Sequence, residues 1–415
     1  MERRDLKRVL IHSIVFSPDG VSTAYLYNDI ALGLVENGFD VVVLTTTPHY
    51  NLIESELIKQ PITKKLFGIY YESAFNGIKV YHIPLKKYKS TVKRLASFVY
   101  WHIISLFIGL LIKKINFVLS PSPPLSIGFI SLLIAKFKGA KSIYNVQEIY
   151  PDLLINQGNL KSPIVINLLK KFEKLIYNNS DAVTTIDEVF HSTITSRFIN
   201  SNKLHIIPNF VDTDLYKPLK KQQMLPSVFG NDTGKIKILY AGNIGFFQDW
   251  EPVFYAADQL KNENIEFWIV GEGVQKSELE KEVLNRKISN IHIFPYQNRE
   301  YIPIINNYVD IHFISINPKM EQDGFPSKVY TIMACAKPLV VVTGEKTPLY
   351  NFLKDKNCSE LIINNRNINF TEAIWRLSND QELREQLGNN GYEEITKNYS
   401  KKVVVSKYIN LLNSL

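Results

Sequence analysis

The segment DGFPSK, Asp323 to Lys328, sets a carboxylate, a turn glycine, an aromatic, a proline, a hydroxyl and a cation before an apolar helical run, VYTIMACA. A hydroxyl and a cation on the first turn of a helix, beside backbone N–H groups without intrahelical partners, suit an anion such as a phosphate. The residues also have a plain reading: Asp-Gly makes the turn, and Pro326 takes the first helical position, where its missing N–H costs nothing. Two more loops of the second half share this chemistry. Gly242, Asn243 and Gly245 follow the apolar run KILYA, and Gly271, Glu272 and Gly273 follow FWIV. Bare backbone at a strand end can approach a phosphate closely. One such loop is weak evidence, because these turns need glycine anyway; three in one domain favour a ligand site. None has the spacing GxGxxG or GxxxxGK[ST], which sets aside the dinucleotide and Walker-type readings.

The first half offers fewer groups. Gly20, in FSPDGVS, stands between a first strand and a first helix, and SIYNVQEIYPD ends another strand with Gln147, Glu148 and Asp152. A carboxylate at a strand's carboxyl end can act as general base or bind an acceptor hydroxyl; it can equally cap the segment after it. His12 sits inside an apolar strand, as a core residue would, and neither His102 nor His191 has catalytic partners in its pattern. Cys335 and Cys358 are the only cysteines, so neither a disulfide framework nor a zinc set is present.

The elements that must position these groups follow from periodicity. Strand-like runs in the first half are RVLIHSIVF, DVVVLTTT, IKVYHIPL, NFVLSPS, KSIYNV and DAVTTI, with helical stretches such as 21–37 and 163–178 between them. The second half repeats the rhythm with KIKILYAG, IEFWIVGEG, NIHIFPY, VDIHFISI, PLVVVTG and SELIINN, then turns helical. Alternation of this kind predicts an α/β protein with two parallel sheets in tandem, each wrapped by helices. The segment IIPNFVDTDLYKP reads as the link. The expected division is 1–208, 209–395 and a closing helix, 396–415, that returns to the first domain. Open α/β sheets bind ligands beyond the carboxyl ends of their strands, so two facing sheets would hold a ligand between them.

Charge is uneven along the chain. From Ser73 to Gln147 there are eleven Lys or Arg and no Asp or Glu; of the 48 basic and 40 acidic residues, 37 and 40 then remain for the rest. One segment supplies the whole basic excess, which implies an anionic surface nearby. Inside it LASFVYWHIISLFIGLLI, eighteen residues without a charge, reaches the lower limit for a membrane-spanning helix. Strands on either side of it are expected in one sheet, and a span would separate them. A helix lying on an anionic membrane surface is predicted instead, held by Lys86, Lys87, Lys89, Lys93 and Arg94 before it and Lys113 and Lys114 after it. Burial against its own sheet is the alternative. Long apolar runs among the basic residues argue against a nucleic-acid partner. The start, MERRDLKRVLIHSIVF, reads as a first strand rather than a signal peptide, and a cytoplasmic, reducing location fits.

Together these loops resemble a known family. IIPNFVDTDLYKP resembles the IPNGVDTxxFxP link of family 4 glycosyltransferases, and YAGNIGFFQDW, WIVGEG and GFPSKVYTIMACAKPLVVVTG occur in matching order over essentially the whole chain. GNIG, PSK and VQEIYP together are similar to the bacterial O-antigen, capsule and colanic-acid branch. The resemblance implies a GT-B fold of two facing Rossmann-like domains, a UDP-sugar donor and a lipid-linked (polyprenyl diphosphate) acceptor. It also implies retention at the anomeric carbon, no cofactor or metal, and attachment to the inner face of a bacterial plasma membrane. The family's two motif glutamates, eight positions apart, align with Asp323 and Thr331, and its basic diphosphate-gripping pair aligns near Asn243 and Gln248. Neither of the latter is charged, and Lys328 is the implied replacement. The resemblance thus gives Lys328, Ser327 and backbone N–H groups near Gly324 and Phe325 to the diphosphate, Pro326 to the donor site, Asp323 to sugar hydroxyls and Glu148 to the acceptor. Glu272, Tyr296 and Thr331 fall to base and ribose, with Gly20, Asn243 and Gly271 at the donor. A sugar-nucleotide 2-epimerase of the same fold is disfavoured, since HRxEN and DSGGxQEE are missing; a catalytically inactive membrane-bound assembly partner is the other alternative.

Overall fold

The computed structural model describes residues 6–50, 52, 54–86, 88–219, 225–320 and 325–415, with 54 and 55 by backbone alone. Asp323 and Gly324, like Lys87, lie outside the described residues. The chain divides into two compact units, Met1–Phe210 with Lys401–Leu415, and Val211–Ser400. The divisions thus fall two residues beyond 208 and five beyond 395. Val211 N–H bonds Tyr399 O at 3.1 Å, which keeps the two ends of the second unit side by side.

In the first unit nine strands form one sheet: β1 (Arg8–His12), β2 (Asp40–Thr46), β3 (Thr63–Lys65), β4 (Tyr70–Phe75), β5 (Ile78–Ile83), β6 (Phe117–Pro121), β7 (Lys141–Val146), β8 (Ala182–Thr185) and β9 (Leu204–Ile206). Their spatial order is β3-β4-β5-β2-β1-β6-β7-β8-β9, parallel except at β3–β4 and β4–β5. The interior strands are apolar on both faces because helices cover both: Val9, Leu10 and Ile11 are fully buried. The antiparallel β3–β4 extension was not expected. TKK and YYESAF are half-exposed and carry no continuous apolar run, and the lysines of β3 blunt the sheet edge. The closing helix, Lys401–Ser414, buries Val404, Val405, Tyr408, Leu411 and Leu412 in this unit. It crosses the Ser22–Glu36 helix at Gly33, where a Cβ would lie 2.7 Å from Val405 Cγ1.

The second unit has six parallel strands, β10 (Ile236–Ala241), β11 (Ile265–Val270), β12 (Ile291–Phe294), β13 (Ile311–Ser315), β14 (Leu339–Val342) and β15 (Ser359–Ile362). Their order is β12-β11-β10-β13-β14-β15, the doubly wound arrangement in which strand order reverses between the first and fourth strands. The first sheet reverses between β1 and β6. Loops leaving the two strands at a reversal diverge and open a crevice. Each unit therefore has its own topological site for a ligand.

Candidate active site

At the reversal in the second unit, the loops after β10 and β11 interlock through bare backbone. Gly242 N–H bonds Val270 O at 2.9 Å, Ile244 N–H bonds Glu272 O at 2.8 Å, and Gln275 N–H returns to Ile244 O at 3.0 Å. A Cβ on Gly271 would run into Gly242 O, and one on Gly273 into Ile244 O. These glycines are required so that two loops can touch, a reason closer at hand than a phosphate.

Lys328 comes to the same place from the segment after β13. The helix begins at Lys328 and runs to Ala334, so Pro326 stands two residues before it rather than at its first position. Pro326 O and Ser327 O accept the N–H groups of Val329 and Tyr330 at 3.1 Å, which turns those donors inward. The helix thus offers less backbone to an anion than its sequence suggests, and the side-chain ammonium is the principal cation. Lys328 Nζ stands 3.6 Å from the centroid of the buried Tyr240 ring, close enough for a cation–π contact. A Cβ on Gly242 would lie 2.5 Å from that Nζ, so glycine there leaves room for the ammonium. Among the described residues no carboxylate or hydrogen-bond acceptor partners it. Although the residue is half-buried, its amine has lost its water, and this pulls the pKa down to about 7.

Tyr240 was not singled out from the sequence, where it looks like one more strand residue. Its ring floors the ammonium, and its hydroxyl donates to Asn243 O at 2.6 Å, fixing the glycine loop. Gln248 accepts Gly245 N–H at 3.0 Å, so its amide shapes the loop. Glu272 is exposed and paired with Lys276 at 2.5 Å; that hydrogen bond, helped by the Tyr296 backbone, holds its pKa below the usual value. Thr331 donates its hydroxyl to Lys328 O at 2.9 Å. Ser327 is exposed, and Phe325 packs on Tyr330 and Phe352 with its ring toward the core. The structure therefore brings Asn243, Gly271, Glu272, Tyr296 and Lys328 to one edge of the second sheet.

The reversal in the first unit forms a pocket of about 210 Å³ at the ends of β1 and β6, lined by Ser13, Val15, Thr23, Tyr50 and Ser122 among others. Gly20 lies in its rim loop, with its N–H on Tyr50 O at 3.0 Å; the buried Asp19 accepts the N–H groups of His49 and Tyr50 at 2.8 Å. Ser122 ties the pocket to the next strand: its hydroxyl donates to Glu148 O at 2.9 Å and accepts Gln147 N–H at 3.1 Å. Glu148 stands at the end of β7 with its side chain exposed, and partial loss of water raises its pKa. His12 is a core residue, as expected: fully buried, bonded through Nδ1 to Ser131 Oγ at 2.9 Å, and lowered to a pKa of about 3 by burial. No sequence signal marked Ser13, Thr23, Tyr50 or Ser122, because residues with hydroxyl groups are common in loops and only the strand order gathers them.

Two sheets with polar groups at their reversals of strand order have the architecture in which α/β proteins bind ligands beyond the carboxyl ends of their strands. The glycosyl transferase 4-like domain model matches residues 23–209, and that of glycosyl transferases group 1 matches residues 222–394. The chain belongs to the family 4 glycosyltransferases, with the GT-B fold, and is a sugar-transferring enzyme. It is 27% identical over 361 residues to WcaI of Escherichia coli (strain K12), a protein named for colanic acid biosynthesis, covering 82% of this chain and 84% of that one. In fold it is similar to a sucrose-phosphate synthase from Thermosynechococcus elongatus, with a TM-score of 0.72, 14% identity and 98% of each chain covered. Anabaena HepE, solved in complex with UDP, superposes with a TM-score of 0.70 at 12% identity, over 99% of this chain and 100% of that one.

Proposed function

We propose that this glycosyltransferase moves a sugar from a UDP-linked donor to a lipid-linked acceptor in surface-polysaccharide assembly. The observation that carries the donor half is the unpaired Lys328 ammonium at the second sheet's reversal, over Tyr240 and against Gly242. A diphosphate placed there would gain a charge-assisted hydrogen bond worth on the order of 1.5–3 kcal/mol. It would also draw a proton onto an amine that burial has made ready to lose one. As the glycosidic bond to the nucleotide breaks, negative charge grows on the diphosphate, and a preorganised cation stabilises the transition state more than the ground state. On this reading the reaction retains configuration and uses no metal. Glu148, beside the first unit's pocket, orients the acceptor hydroxyl. The relative named for colanic acid biosynthesis supports a surface polysaccharide as the product.

UDP is expected to raise the melting temperature of the wild-type chain and to do so barely in Lys328→Ala; an equal shift in both would remove Lys328 from the donor site. Hydrolysis of a UDP-sugar by the purified chain separates an active transferase from an inactive assembly partner.

The enzyme works, we infer, at the cytoplasmic face of an anionic membrane. The Thr91–Leu111 helix is long and apolar enough to span a bilayer, but β5 before it and β6 after it share one sheet. Trp101, Ser105, Ile108 and Gly109 are buried beneath it, while Val92, Leu95, Val99, Ile103, Phe107 and Leu111 form an exposed apolar stripe. Lys86, Lys89, Lys93 and Arg94 at its start are all exposed. Replacing these four and Lys87 by Gln is expected to release the protein from anionic vesicles at physiological salt, at about 1 kcal/mol per residue. Equal vesicle binding by variant and wild type would defeat this docking.

A further inference from the structure

The turn joining β3 to β4 and the first turns of the Thr91–Leu111 helix enclose a groove of about 590 Å³ on the first unit. Tyr71, Lys86, Tyr88, Lys93, Ser97 and Tyr100 line it. Ser97 accepts Lys86 N–H at 3.1 Å and so fixes the strand-to-helix crossing that presents both lysines. Among the described residues no carboxylate neutralises Lys86 or Lys93, as expected within a segment that has none. Two lysines and three tyrosines lining one groove offer the donor types that suit the oxygens of a phosphate or diphosphate.

The rim is of the opposite character. The exposed stripe of the helix begins at Val92 and Leu95, one turn from the groove. On the other side Phe67, at the tip of the β3–β4 turn, is fully exposed and holds a left-handed backbone, φ 54° and ψ 17°. That conformation is costly for a bulky residue, and no packing in the fold repays it. Insertion of the ring among lipid chains would. Exposed cations lining a groove with greasy residues beside it describe a receptor for a phosphate whose other end stays in a bilayer. A free anion would have no use for the rim.

The position is also informative. The groove continues past the carboxyl end of β5 through Pro84 and Lys86. It therefore lies on the same edge of the sheet as the β1–β6 pocket, two strand spacings, or about 10 Å, from β1.

We propose that this groove binds the diphosphate of the lipid-linked acceptor, leaving the lipid in the membrane and the sugar free to extend toward the β1–β6 pocket. The proposal rests on the transferase reading above and adds the site that holds the acceptor. It is tested with the full chain and neutral phosphatidylcholine vesicles doped either with a polyprenyl diphosphate or with phosphatidylglycerol at equal surface charge. The wild type is expected to bind the polyprenyl diphosphate vesicles about tenfold more tightly than the phosphatidylglycerol ones. In the double variant Lys86→Gln, Lys93→Gln that preference disappears while UDP binding is unchanged. Equal binding of the two vesicle types by the wild type would overturn the proposal, since the surface would then answer to charge alone. A preference that survives in the double variant would overturn it as well. UDP titration of the wild type reports separately on the donor reading: if UDP fails to bind while the lipid preference holds, the donor assignment falls and the groove stands.

Discussion

The two sheets reverse their strand order in the same way and are furnished in opposite ways at that point. In the second unit the β10 loop beside the reversal is packed tightly on the β11 loop: backbone touches backbone at Gly242, Gly271 and Gly273, and one lysine is pressed onto a tyrosine ring. The first unit instead offers an open pocket in which Ser13, Thr23 and Ser122 stand among apolar residues, with a carboxylate one strand away and an exposed basic and apolar surface further along the edge. A small, highly charged ligand is best served by a rigid seat whose amine is already in place, because little ordering remains to be done on binding. A large acceptor anchored elsewhere needs room and a few oriented polar groups. The contrast fits the proposal that donor and acceptor are held by different units.

Three substitutions separate the two regions, in decreasing order of expected effect. Glu148→Gln keeps the size of the side chain and removes its basicity; transfer is expected to fall roughly 10²–10⁴-fold while UDP affinity stays within twofold or so. In the wild type, transfer should decline with acidification through a pKa above the ordinary carboxylate value, because the exposed but partly desolvated Glu148 takes up its proton early. A mutant that loses UDP binding together with transfer would place Glu148 on the donor instead. Gly271→Ala forces a methyl group into Gly242 O, and something must shift. It should cost on the order of 2–4 kcal/mol, lower the melting temperature by roughly 5–10 °C and abolish the UDP-induced shift. Gly245→Ala is the control: its Cβ would meet only side chains, the Asn243 amide closely and Gln248 Oε1 at 4.0 Å, so calorimetry should show a change near zero.

The amine of Lys328 gives a pH-dependent effect with a definite sign. Its pKa in the folded, ligand-free protein is about 7, below its ordinary value of 10.5. Between these values the unfolded chain holds the proton more tightly than the folded one, so this lysine contributes stability that grows as pH rises from about 7 toward 10. Lys328→Met should flatten that rise in urea melts followed across the same window. A profile identical in mutant and wild type would mean that the amine is fully hydrated.

Much of this architecture was legible because parallel strands covered on both faces are written as unbroken apolar runs. Such runs marked β1, β2, β5–β8 and β10–β15. What escaped was at the edges: β3 and β4 are half-exposed and β9 is three residues long, so neither a continuous run nor a clear alternation signals them. Site residues divide in the same manner. Lys328 stood out as a cation beside glycine-rich strand ends, and Glu148 as a carboxylate at another. Tyr240 did not, since a tyrosine in KILYA is indistinguishable from core until its ring is found beneath an ammonium. Pro326 was placed two positions too late in its helix, because proline marks a helix start without fixing which residue comes first. The exposed stripe on Thr91–Leu111 shows a further limit: eighteen uncharged residues do not say which are covered, and the packing of Trp101 and Ile108 against the sheet does.

The central claim is that an anionic donor is seated on a lysine that burial has brought to the edge of neutrality. Calorimetric titration of UDP at pH 8, in two buffers of different ionisation enthalpy, tests it most directly. The free amine is then mostly unprotonated, and a bound diphosphate restores its charge, so the wild type should take up about one proton per UDP while Lys328→Met takes up none and binds roughly 10–100-fold more weakly. Binding without proton uptake, or uptake that persists in the mutant, would contradict the account.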